Sequence, residues 1–134
     1  MKKVVVLSLM FVLAALCFAA GEEVLQPLMK SNAAVNGKMR KDAAAKAHAD
    51  VANDAKELQG NFKQIGEFFE KRGGMADAVK IARDAENASK DLAAAAAAGN
   101  EQGIADGVKA VGGACGACHM AHRNTNADGT YSIK

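Results

Sequence analysis

Val51–Phe69, VANDAKELQGNFKQIGEFF, spaces Val51, Ala55, Leu58, Phe62, Ile65 and Phe69 at steps of four, three, four, three and four. With 3.6 residues per turn, that rhythm puts all six side chains on one stripe of a helix, the seam of a bundle. A helix with a single apolar stripe needs neighbours to cover it. Three further stripes are present. Ile104, Val108, Val111, Cys115, Cys118 and His122 keep the same rhythm near the end of the chain. Ile81, Ala85, Ala88, Leu92 and Ala95 form a third, beside the helix-favouring run Ala93 to Ala98. Leu25, Leu28, Asn32, Val35 and Met39 form a fourth, in which Pro27 predicts a helix that begins near Gln26 or bends there.

Breaks are predicted at Arg40 to Asp42, at Arg72 to Gly74 and at Gly99 to Asn100, where Asn100 is placed to cap the last helix. Short connections favour antiparallel neighbours, so the expected fold is all-α, an up-down-up-down four-helix bundle. No stretch alternates convincingly enough for a strand. Aromatic residues are only 4% of the chain and there is no Trp, while two of the four stripes are largely alanine. Such helices either approach very closely or surround a large apolar group that the chain does not encode.

The start of the chain has the layout of a secretory signal peptide, expected over 1–20 and removed. Lys2 and Lys3 precede an apolar run from Val4 to Phe18, and Ala19 and Ala20 close it before Glu22 and Glu23. A retained N-terminal anchor is the alternative. Cys17 leaves with the signal, and Leu16 before it is not the small residue that a lipoprotein site wants. The remainder divides into one helical domain, 21–123, and a tail, 124–134. The formal charge of +2 falls to near zero once Lys2 and Lys3 are gone, too little basic surplus for nucleic acid. Export implies an oxidising, periplasmic compartment, no membrane association after signal removal, and two remaining cysteines that must be capped.

Those cysteines lie in GGACGACHMAHR, Gly112 to Arg123. Cys115, Cys118 and His119 form C-x-x-C-H, the attachment signature of c-type haem. On a helix, positions three and four apart share a face, so two thiols can reach the vinyl groups of a porphyrin while the imidazole reaches the iron. Cys115, Cys118, His119 and His122 also carry zinc-type side chains, although structural zinc sites usually draw ligands from two separated elements. A redox-active C-G-A-C pair lacks its βαβ context, and a disulfide across one helical turn is strained.

The segment VGGACGACHMAHR, Val111 to Arg123, near the end of a four-helix bundle, resembles the haem helix of class II cytochromes c, the cytochromes c′ and their low-spin relatives. The resemblance spans roughly Leu25 to Arg123 and implies one covalent haem c. It makes Cys115 and Cys118 the thioether anchors and His119 the proximal iron ligand, and it matches Arg123 to a basic residue near the haem propionates. LMK at Leu28 to Lys30 resembles the segment from which low-spin members donate a methionine, making Met29 the sixth ligand. His122 and Leu25 depart from the family pattern, which often has an aromatic and an arginine at these places.

Met39, Met75, His48, Met120 and His122 are the other candidates for the sixth position. Met120 and His122 share the helix of His119, Met75 adjoins Gly73 and Gly74 in a loop, and Met39 reads as core. A sixth thioether ligand makes a low-spin electron carrier, whereas an open face leaves room for NO or CO. The expectation is a non-enzymatic cytochrome moving one electron between redox partner proteins. A five-coordinate gas-binding cytochrome c′ type is the alternative, a zinc-stapled bundle the remote one, and pairing of two bundles through their first helices is the homodimer that the resemblance allows. The tail NTNADGTYSIK, with its turn signal Asp128-Gly129, either folds back over the haem edge or frays.

Overall fold

A computed structural model describes the backbone from Lys2 and the side chains from Glu22 to Lys134; the side chains of the expected signal segment 1–20, that of Cys17 included, lie outside the described residues, and so does its removal. Four helices, α1 (Lys2–Ala44), α2 (His48–Arg72), α3 (Ala76–Ala97) and α4 (Glu101–His122), are followed by two short strands, β1 (Arg123–Thr125) and β2 (Tyr131–Ile133). The helices form a four-helix bundle. Residues 45–47, 73–75 and 98–100 are the only connections between them, and links this short make consecutive helices antiparallel neighbours. Lys46, Gly73, Gly74 and Gly99 turn these corners with φ of 56°, 72°, 72° and 66°. Among the described residues no helix is long and apolar enough to cross a membrane.

All six seam residues of α2, Val51 to Phe69, are buried. From α1, Leu25, Asn32, Val35 and Met39 join them. The Asn32 amide is held inside by Asn61, whose Nδ2 donates to Asn32 Oδ1 at 2.9 Å, tying α1 to α2. At the start of α4, Asn100 Oδ1 accepts from Gly103 N at 3.0 Å, the expected cap.

Four expectations are corrected. The first break falls at 45–47 and not at Arg40 to Asp42, because helix-favouring alanines carry α1 through Ala44. Of the two expectations for Pro27, a helix start near Gln26 is overturned: α1 is helical on both sides of Pro27, which is exposed there. The buried stripe of α3 runs Ala78, Ala82, Ala85, Ser89, Leu92 and Ala96, so Ile81, Ala88 and Ala95 sit on its shoulder. Ser89 is tolerated inside because its hydroxyl donates to Ala85 O at 2.8 Å. The expectation of no strand also fails: the tail folds back against α1 as a β-hairpin in which Arg123 pairs with Ile133 and Thr125 with Tyr131.

Packing between the helices is uneven. Helix α2 lies most extensively against α3, and α3 against α4, whereas α1 and α4 scarcely touch. Alanine lets α3 come close to both neighbours. The volume missing from the composition reappears as a gap between α1 and α4.

Candidate functional site

The gap is a slot with two adjoining cavities of about 360 Å³ each, within the range of small-molecule and cofactor pockets. Helix α4 supplies one wall with Cys115, Cys118 and His119, and α1 supplies the other with Met29, Ala33 and Asn36. Met29, Ala33, Cys118 and His119 line both cavities and mark where they meet. The first cavity extends toward Gly37 and Arg40 and is floored by Phe62 and Ile65 of α2. The second reaches the end of the bundle, where Phe69, His122, Arg123 and Tyr131 enclose it.

The α4 stripe explains this placement. Ile104 and Val111 are buried in the core, but Cys115 and Cys118, one and two turns further on, are only half-buried because α1 has moved away. Both are unbridged thiols. Burial pushes the two thiols above their ordinary pKa; the charge of Arg40 works against it at Cys115, and the neighbouring Cys115 adds to it at Cys118. Burial, then the nearby Arg123 charge, lowers the pKa of His119, favouring the neutral imidazole that a metal requires.

His122 turns to another task. Its Nε2 lies 3.0 Å from Asp77 Oδ2 at the start of α3, within ion-pair distance but without hydrogen-bond alignment, and its ring stands 6.4 Å from that of Phe69. Among the described residues no group of three or more His, Cys, Asp or Glu side chains could hold a metal ion. The placement of Cys115, Cys118, His119 and His122 therefore lends the zinc reading no support.

The alternatives for the sixth position are placed elsewhere. His48 Nε2 is 2.9 Å from Glu101 Oε1 at the far end of α4, and the eighteen steps from Glu101 to His119 span roughly 27 Å of helix. Met39 is fully buried in the core, Met75 packs in the α2–α3 corner, and Met120 is 77% exposed. His122 also lines the second cavity but leaves from the same helix as His119, so among the described candidates only Met29 faces the slot from the opposite wall. Arg123 lines the second cavity with its guanidinium 4.4 Å from the Tyr131 ring centroid, a cation–π contact.

Three features of the slot were not foreseen. Asn36 Oδ1 is buried with no hydrogen-bond partner, and Asn36 lines the first cavity. Arg40 brings a cation to the same cavity and rests against Gly112. The hairpin closes the second cavity, with Gln26 Nε2 donating to Tyr131 O at 3.4 Å and Lys134 Nζ to Met120 O at 2.7 Å. A pattern did mark the α1 wall: Met29, Ala33, Asn36 and Arg40 follow at steps of four, three and four, a second stripe hidden by its polar and small members.

The residues present fit a porphyrin. The slot is apolar along its floor, has two thiols and an imidazole on one wall and a thioether on the other, and leaves a buried polar atom unsatisfied. Comparison of the chain with known protein families, with curated proteins and with solved structures gives no match.

Proposed function

We propose that this protein is an exported single-haem c-type cytochrome of the class II kind, carrying one electron between redox partner proteins. The observation that carries the reading is the slot itself, with Cys115, Cys118 and His119 on one wall and Met29 on the other. Haem c, when bound, supplies a one-electron ferric–ferrous couple.

The chain's residues have separate tasks. Cys115 and Cys118 would hold the porphyrin through thioether bonds, sulfur and thiol proton adding across each vinyl group with no oxidant needed. His119, kept neutral by its burial, offers a ring-nitrogen lone pair to the iron. Met29 would offer a thioether sulfur from α1, a ligand type that raises the potential of a haem iron. The apolar floor at Phe62 and Ile65 and the hairpin at Tyr131 limit water at the site.

Absorption spectra of the protein, made in a periplasm with haem-attachment machinery and recorded oxidised and reduced, test this reading. A low-spin c-type spectrum that turns high-spin and binds carbon monoxide in Met29→Ala is the expected result. A colourless protein overturns the haem assignment. A wild-type protein that is already high-spin and binds carbon monoxide replaces the electron carrier with a gas-binding cytochrome.

A further inference from the structure

The tip of the exposed Arg40 side chain lies over Gly112 of α4. Its Nη2 lies 2.5 Å from where a Cβ at Gly112 would stand, a distance that no real Cβ contact shows. The guanidinium thus crosses from α1 to α4 beside the first cavity, one turn before Cys115. Among the described residues it has no ion-pair partner. The nearest acid along its own helix, Asp42, is taken by Lys38 Nζ at 2.7 Å, and the same ammonium reaches Asp54 Oδ1 at 3.0 Å. An uncompensated cation therefore stands at the wall of a slot that holds Cys115 and His119, and its field already reaches the Cys115 sulfur.

Building on the haem reading above, we infer that Arg40, seated over Gly112, is an electrostatic residue that raises the reduction potential of the iron. Reduction removes one positive charge from the ferric site. A fixed cation close by opposes the oxidised form more than the reduced form, so it shifts the couple toward reduction. The seat matters as well as the charge: Arg40 is exposed, and its position over Gly112 is what places the guanidinium at the cavity wall. Arg40 touches neither the thioether anchors nor the axial ligands in this reading; it acts through space.

The test is a potentiometric titration of the holoprotein for wild type, Arg40→Gln, Arg40→Lys and Gly112→Ala, with visible spectra and far-ultraviolet circular dichroism recorded alongside. At an ionic strength of about 0.01 M, where the Debye length is about 30 Å, Arg40→Gln lowers the potential; the difference shrinks at about 1 M, where that length is about 3 Å. Arg40→Lys keeps most of the potential. Gly112→Ala lowers it too, with no change in net charge, because the new methyl group displaces the guanidinium. An Arg40→Gln potential equal to wild type at low salt overturns the inference. So does Gly112→Ala at the wild-type potential, which would leave the seat without effect, and so does any loss of the low-spin spectrum in Arg40→Gln, which would assign Arg40 to ligation. A colourless wild-type protein fails the haem reading itself, whereas a coloured one with an unmoved potential fails only Arg40.

Discussion

The two halves of α4 use glycine to opposite ends. Between Glu101 and Val111 the helix presses against α3: a Cβ on Gly103 would come within 2.9 Å of Ala95 Cβ, and one on Gly107 within 2.8 Å of Leu92 Cβ. Between Gly112 and His122 the same helix stands off α1. There Gly112 meets only the Arg40 side chain, while Gly113 and Gly116 are exposed, outside the slot lining, with nothing within 4 Å. Small residues bring two helices together only where both partners are small, as on the alanine-rich face of α3. The first half is a dense core and the second is a binding wall. The sparse side-chain volume of this chain is therefore partitioned, with close packing at one end and space at the other.

The largest effect should come from opening the dense half. Leu92 is fully buried between α3 and Gly107 of α4, so Leu92→Ala leaves a cavity and costs about 2–5 kcal/mol in chemical denaturation. A loss below 1 kcal/mol would mean that the bundle collapses around the gap and that its packing is not tight. A paired experiment follows on α4 itself. Gly107→Ala adds a methyl that Leu92 Cβ and Cα already crowd; overpacking outweighs the gain in helix propensity, for a net loss of roughly 1–2 kcal/mol. Gly113→Ala, in open space, should instead stabilise by about 0.5–1 kcal/mol. The same substitution thus changes sign within two turns of one helix. Equal signs from the two denaturation midpoints would erase the distinction between the halves.

How far this partition is legible in the sequence depends on side-chain contrast. The seam of α2 mixes large apolar residues with charged ones, and all six of its members are buried as their spacing implies. In α3, alanines surround the helix, so the apolar count has no clear phase and Ser89, a core residue, looks like surface. The α4 wall is legible because C-x-x-C-H ties chemistry to spacing. Its opposite wall is only half legible: Met29 stands out, but Asn36 and Arg40 carry no apolar signal, and their convergence on the slot depends on the distance between α1 and α4. The hairpin escapes detection because each strand has three residues, too few to establish alternation, and it is held by its own pairing and turn bonds, with one side-chain bond each to α1 and α4.

That hairpin is what keeps the open half from being fully exposed, and its turn carries the smallest of the expected effects. Asp128 Oδ1 accepts from Thr130 Oγ1 at 2.6 Å and from Thr130 N at 2.9 Å. The Thr130 hydroxyl bond first, and the backbone bond second, hold the Asp128 carboxyl below its ordinary value of 3.8. A carboxylate whose pKa is lower in the folded state contributes its stability in full above the unfolded value, and loses it as the pH falls through the folded one. The hairpin should therefore loosen as the pH drops below about 4, while the dense half stays folded. Amide hydrogen exchange at Asn126, whose N–H donates to Thr130 O at 2.8 Å, reports the loosening locally. In Asp128→Asn, Asn126 should exchange faster at neutral pH and lose this acid step, with little change in global stability because the site is exposed. If Asn126 instead exchanges in step with the amides of Leu58 and Leu92, the hairpin opens only with the whole bundle. The slot would then be closed by a fixed wall and not by a segment that can yield separately.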